Sequence, residues 1–160
     1  MEAICDAAVL IGLSKIGKLD LLEKLYEKIY IPWAVYNEVV VRGRGRPGSE
    51  EIDKAKWLGK KKVKDHAAVN MLASEFGQGE SEVLVLVKEL KADWLILDDA
   101  RARTAAISAG YRVIGLAGIL LLAKQRNLIE EIKPLFDELV DKNFRLSDKI
   151  MQAILDKAGE

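Results

Sequence analysis

One cysteine (Cys5) and one histidine (His66) stand among the 160 residues of the chain. That scarcity excludes an internal disulfide, a structural zinc site and an iron–sulfur site made from the chain's own ligands. Any metal chemistry must use oxygen donors. His66 sits in a polar K-D-H stretch with no G-x-S-x-G motif beside it, which sets aside a histidine-activated nucleophile. Proline occurs only three times and half of the residues are hydrophobic, so the chain can bury enough apolar surface to fold. Long apolar runs are missing too. The longest, Val113 to Ala123, has eleven residues between Arg112 and Lys124, against the roughly twenty that a bilayer requires. Glu2 and Asp6 occupy the N-terminal stretch where a secretory signal would carry basic residues, and a cytoplasmic protein is expected. There is no excess charge of either sign: 25 Lys and Arg balance 25 Asp and Glu, which excludes a polycation but not a local patch.

The length suits one domain spanning residues 1–160. An apolar run from Ala3 past Asp6 to Leu13 reads as a short strand ending at Asp6 and passing into a helix. Leu19, Leu22, Leu25 and Tyr26 recur at helical spacing, and Ile29 to Ile31 is β-prone. Pro32 is placed to open a helix to Val41, whose apolar stripe includes Trp33, Tyr36 and Val40. R-G-R-G-R-P-G (Arg42 to Gly48) breaks that helix as a basic loop. A helical pattern runs from Ser49 to about Leu58. The Lys60 to Lys62 run reads either as a solvated connection or as a short edge strand. Val83 to Leu90 reads as a buried helix, although its valines suit a strand. Trp94 to Leu97 is a buried strand ending at Asp98 and Asp99. Ala100 to Ala109 is a helix closed by Gly110, and Arg112 to Ile114 is the next strand. Residues 116–160 form a helical C-terminal part, with helices at Leu116 to Gln125, Leu128 to Val140 and Ser147 to Lys157, the last capped by Ser147. Strands alternating with helices imply an α/β fold, a three-layer α/β/α sandwich with a central, mostly parallel sheet.

In such sheets ligands bind beyond the carboxyl ends of the strands, and Asp6 and Asp98 stand there. Two readings are open for each. Asp is a favoured helix N-cap, and two strand-end acids from neighbouring strands would also repel one another unless a cation lay between them. Glu80 follows Gly79 at a helix start, where the helix dipole favours its charge. Glu38 lies near the boundary of the apolar stripe on the helix after Pro32, and it reads equally as a solvated residue.

Taken in order, several segments carry a resemblance to a known family. They are Asp6 with the apolar run after it, I-Y-I-P-W-A-V-Y-N-E-V-V with Glu38, R-G-R-G-R-P-G, G-Q-G-E-S-E with Glu80, A-D-W-L-I-L-D-D-A-R-A-R with Asp98, and G-L-A-G-I-L-L-L-A-K. Over nearly its full length the chain resembles the PIN-domain nucleases, in the bacterial and archaeal branch of toxin-like, metal-dependent ribonucleases. The resemblance implies a metal-dependent endoribonuclease acting on RNA, the toxin of a toxin–antitoxin pair with an antitoxin protein as partner. It implies that Asp6, Glu38, Glu80 and Asp98 form the acidic quartet around Mg²⁺ or Mn²⁺, with Asp99 and Glu82 as helpers. Small hydroxyl residues usually follow the first Asp in this family, whereas this chain has Ala7 and Ala8. That departure supports a second reading, a catalytically weak or inactive RNA-binding or scaffold module. A third, a phospho-acceptor domain, calls for an acidic pair after the first strand, where only Asp6 stands.

Carboxylates without histidine suit hard divalent cations and disfavour zinc. In the ribonuclease reading Asp6 and Asp98 bind metal directly, with Asp99 as a further ligand. Glu80 completes or bridges the site, and Glu38 orients water. An acidic site must still attract a polyanion. Residues 42–64 hold nine Lys or Arg and three Asp or Glu, a net +6, which leaves −6 on the remainder. Arg42, Arg44, Arg46 and Arg101 are the candidate substrate contacts. Trp33, Trp57 and Trp94 share no segment and read as core or interface anchors rather than as a stacking platform. The Val113 to Ala123 run is the candidate face of a homodimer.

Overall fold

The computed structural model describes residues 1–160. Five short strands form one sheet: β1 (Glu2–Cys5), β2 (Lys28–Pro32), β3 (Leu58–Lys61), β4 (Trp94–Ile96) and β5 (Arg112–Ile114). Their order is β3-β2-β1-β4-β5, and every neighbouring pair is parallel. Ten helices cover it, giving the three-layer α/β/α sandwich: α1 (Ala7–Lys15), α2 (Asp20–Leu25), α3 (Trp33–Tyr36), α4 (Ser49–Lys54), α5 (His66–Leu72), α6 (Gln78–Leu90), α7 (Ala100–Ser108), α8 (Leu116–Gln125), α9 (Lys133–Asp141) and α10 (Asp148–Ala158). α3 continues as a π-helical turn over Asn37–Val41. No helix is long and apolar enough to cross a membrane.

A parallel sheet covered on both faces needs strands that are apolar on both sides. β1 meets that need at the centre, where Ala3, Ile4 and Cys5 are fully buried, and Ile31, Leu95 and Ile96 continue the layer on either side. The chain builds β1, β2 and β3 outward in one direction, then crosses to β4 on the other flank of β1. The strand order therefore reverses between β1 and β4, the position beyond the strand ends at which open α/β sheets bind their ligands.

Several elements differ from the sequence reading. The Lys60 to Lys62 alternative resolves as edge strand β3, paired with β2 from Ile29↔Leu58 to Pro32↔Lys61. Gly59 permits it, because a Cβ there would stand 2.5 Å from the Tyr30 ring that lies across it. The helix from Ser49 consequently stops at Lys54 rather than near Leu58. Helix α5, not anticipated, is nucleated by Asp65, whose side chain accepts the Ala68 N–H at 3.0 Å. Pro32 closes β2 as the N-cap of α3 instead of opening the helix. The helix expected from Leu128 begins only at Lys133, after Asn127 turns the chain with a positive φ of 59°. The Val113 to Ala123 run is largely internal, with Leu116, Ala117, Ile119, Leu120 and Ala123 buried and α10 packed on α8. Val113, Ile114, Leu121 and Leu122 stay half-buried and line an open apolar pocket with Leu146, Ile150 and Ile154.

Candidate active site

Asp6 leaves β1 with extended backbone and becomes the N-cap of α1. One carboxylate oxygen accepts the Val9 N–H at 2.9 Å, and the other accepts the Asp98 N–H at 2.9 Å. The same side chain thus caps a helix and ties the end of β1 to the segment leaving β4. It is only 4% exposed. Burial raises its pKa to about 7, against the pull of those two hydrogen bonds, and the negative charges of Asp98 and Glu80 push in the same direction as burial.

Asp98 follows β4, and its Oδ1 accepts the Leu116 N–H at the start of α8, at 3.1 Å. Burial raises its pKa, while that hydrogen bond and the Arg103 guanidinium restrain the rise. Gly115 makes this approach possible, since a Cβ there would lie 2.5 Å from Arg103 Nη1 and 2.7 Å from Asp98 Oδ1. Glu80 stands in the first turn of α6 with its carboxylate folded back toward Gly77, where a Cβ would meet Glu80 Oε2 at 2.5 Å. Glu38, in the π-helical turn, reaches Gly79 beside it: a Cβ on Gly79 would be 3.6 Å from Glu38 Oε1. Desolvation raises the pKa of Glu38, the charge of Glu80 adds to that, and Arg42 opposes it. Four acids from four different elements therefore interact in sequence, Asp98 with Asp6, Asp6 with Glu80, and Glu80 with Glu38.

The remaining expected site residues divide. Arg42 and Arg46 line a cleft with Glu38, and Arg44 lies near Tyr36. Asp99 is exposed, and its Oδ2 accepts the Ala102 N–H of α7 at 2.8 Å as the N-cap of that helix. Glu82 accepts the Ala34 N–H at 3.2 Å and a Gln78 amide N–H at 2.9 Å, which ties α6 to the start of α3. Arg101 pairs with Glu75 at 3.6 Å and lies over the Phe76 ring, and Arg103 is the arginine beside Asp98. The i, i+2 spacing of A-R-A-R already placed the two arginines on different helix faces. Sequence proximity to Asp98 favoured Arg101, and the helix also brings Arg103 beside that carboxylate.

A family model described as a PIN domain matches residues 2–160. The chain belongs to the PIN-domain family. No curated protein matches it. PIN domains are generally nucleases and typically use divalent metals, and this one has the nuclease-type fold.

The donor set of this PIN domain fits such an ion. It consists of carboxylates alone, one of them buried at a point where its neighbours' charges destabilise its own ionised form. A divalent cation would relieve that repulsion. No three of the acids form a ready cage as they stand. Asp6 and Asp98 instead hold backbone N–H groups, which fixes their orientation at the strand ends.

Proposed function

We propose that this PIN-domain protein is a metal-dependent endoribonuclease of the toxin-like branch, hydrolysing RNA phosphodiesters with Mg²⁺ or Mn²⁺. One observation carries the reading: Asp6, buried at the switch point of the sheet, has its charge destabilised by desolvation and by two further acids. A buried carboxylate under that pressure is costly to a fold and useful to a metal site. Asp6, Asp98 and Glu80 would hold the ion, and Glu38 would orient water. The cation, when bound, supplies charge stabilisation for the phosphoryl oxygens and a more acidic water. Arg103 holds Asp98 toward its ionised form, while Arg42 does the same for Glu38 and can meet phosphate at the rim. An antitoxin protein and a second copy of the chain are the partners that go with this reading.

A second reading, an RNA-binding module with little activity, draws on Ala7 and Ala8. Ala7 is buried, so the position after Asp6 contributes packing and no hydroxyl. Incubation of a mixed RNA panel with Mg²⁺ or Mn²⁺ separates the two, with EDTA and Asp98→Asn as controls. Cleavage that needs the metal and is lost in the variant is expected. A folded protein that binds RNA without cutting it would favour the module.

A further inference from the structure

The lysine run whose sequence fitted either a solvated connection or an edge strand lies against aromatic rings. Trp33 and Tyr36, on the first turn of α3, pack edge to face with ring centroids 5.2 Å apart. Lys60 Nζ lies 4.4 Å from the Tyr36 ring centroid, and Lys62 Nζ lies 5.8 Å from that of Trp33. Lys60 and Lys62 are two residues apart in extended chain, so they reach the same side of the sheet edge. Lys61 goes to the other side, 5.7 Å from the Tyr30 ring. Trp33 is 36% exposed, more open than the half-buried Trp57 and Trp94. Tyr36 is held in place by its hydroxyl, which donates to Asp53 at 2.8 Å.

We propose that Trp33 and Tyr36, with Lys60 and Lys62, form a binding platform for single-stranded RNA on the β3 edge, on the helical segment that also carries Glu38. Its chemistry matches that partner: aromatic faces stack unpaired bases irrespective of sequence, and flexible ammonium groups follow the phosphates. Lys62 sits loosely enough over the indole to yield the ring face to a base and transfer its charge to a phosphate. A duplex, whose bases are already stacked, gains nothing from exposed rings. The position is also suitable. Trp33 and Glu38 belong to one continuous helical segment, roughly 7 Å apart along its axis, and that segment starts at the carboxyl end of β2, next to β1 and Asp6. A strand lying on the platform therefore has Glu38 about a turn and a half away on the same helical segment.

The inference rests on the ribonuclease reading for the identity of its ligand, but its test needs no catalysis. Binding of a fluorescein-labelled oligouridine and of a base-paired hairpin of equal length is measured in EDTA at several salt concentrations. Wild type is compared with Trp33→Ala, Trp33→Phe, Lys60→Ala/Lys62→Ala and the remote control Lys149→Ala. Trp33→Ala should weaken oligouridine binding about tenfold, with Trp33→Phe recovering most of it and hairpin binding barely altered. The double lysine variant should lower the salt slope of log K by about 1.4, at roughly 0.7 per phosphate. Trp33, Lys62 and Lys149 are exposed and Lys60 is half-buried, and unchanged melting curves would establish that the variants fold. Equal effects of Trp33→Ala and Lys149→Ala would overturn the platform. So would a Trp33→Ala variant that binds RNA normally but no longer self-associates, since the surface would then be a protein interface. Failure of the ribonuclease reading shows separately, as absence of metal-dependent cleavage by a protein whose RNA binding still depends on Trp33.

Discussion

Replacing Asp6 by Asn should stabilise the metal-free protein at pH 8 and leave it no more stable than wild type near pH 4. In the unfolded chain the Asp6 carboxyl loses its proton above about 3.8, whereas the folded protein keeps it until about 7. Across that window the unfolded state binds fewer protons, so stability falls as pH rises. Three pH units correspond to about 4 kcal/mol of destabilisation, fully present above pH 7. Asparagine removes the charge but offers one acceptor where the carboxylate offered two, to the Val9 and Asp98 N–H groups. Losing one of those hydrogen bonds costs about 1–3 kcal/mol. The net gain at pH 8 is about 1–3 kcal/mol, visible as a rise in Tm of about 2–4 °C per kcal/mol for a chain of this size. Thermal and urea unfolding in EDTA at pH 4.5, 6 and 8 would measure it. Adding Mn²⁺ at pH 8 should raise the Tm of wild type and leave Asp6→Asn unmoved. Wild-type stability that is flat from pH 5 to 8, together with a variant less stable at every pH, would refute the reasoning.

Three other perturbations follow from close contacts. Gly115→Ala would force Arg103 off Asp98 and is expected to reduce RNA cleavage at least tenfold with an unchanged far-UV spectrum; full activity would mean that this contact is dispensable. Glu160→Gln should lower stability at pH 7 by about 1–3 kcal/mol, because the carboxylate accepts the Ile132 and Lys133 N–H groups and pairs with Lys124 at 2.7 Å. Its pKa is lowered to about 2, desolvation being outweighed by those partners, so the difference from wild type should persist above about pH 4.5 and vanish as the pH falls toward 2 in urea titrations. Gly12→Ala places a Cβ 2.6 Å from Phe144 Cε2 and should destabilise by about 1–3 kcal/mol in the same assay, through displacement of that ring.

The strands with buried aliphatic runs were legible because a parallel sheet demands them, and β4, β5 and α8 fall where periodicity and glycine punctuation put them. β3 was not decidable, since its sequence L-G-K-K has neither alternation nor bulk. Its pairing comes from Tyr30 lying across Gly59, a contact made by residues 29 positions apart. The late start of α9 depends likewise on the distant Glu160, which occupies the N–H groups at its beginning. At the site, Asp6 and Asp98 could be read from their place at strand ends. Arg103 was hidden behind Arg101, because distance along the chain competed with helical direction. The packing of lysines over Trp33 and Tyr36 could not be read, because those lysines arrive from another strand.

Capping and chemistry looked like rival explanations of the aspartates, but in this topology they coincide. The residue ending a parallel strand also begins the next helix, so an acid placed for catalysis necessarily meets free N–H groups. What separates the two roles is solvent. Asp65 and Asp99 cap α5 and α7 from exposed positions, while Asp6 caps α1 from a buried one with other acids around it. An exposed cap needs only an acceptor, and serine supplies that nearly as well as aspartate. Asp65→Ser and Asp99→Ser should therefore each change stability by less than about 1 kcal/mol and leave RNA cleavage intact. Asp6→Ser should keep the protein folded, because the hydroxyl can still accept the Val9 N–H and a costly buried charge is gone, yet abolish cleavage. Retained activity in Asp6→Ser would reduce Asp6 to a cap, and lost activity in Asp99→Ser would return that residue to the metal site.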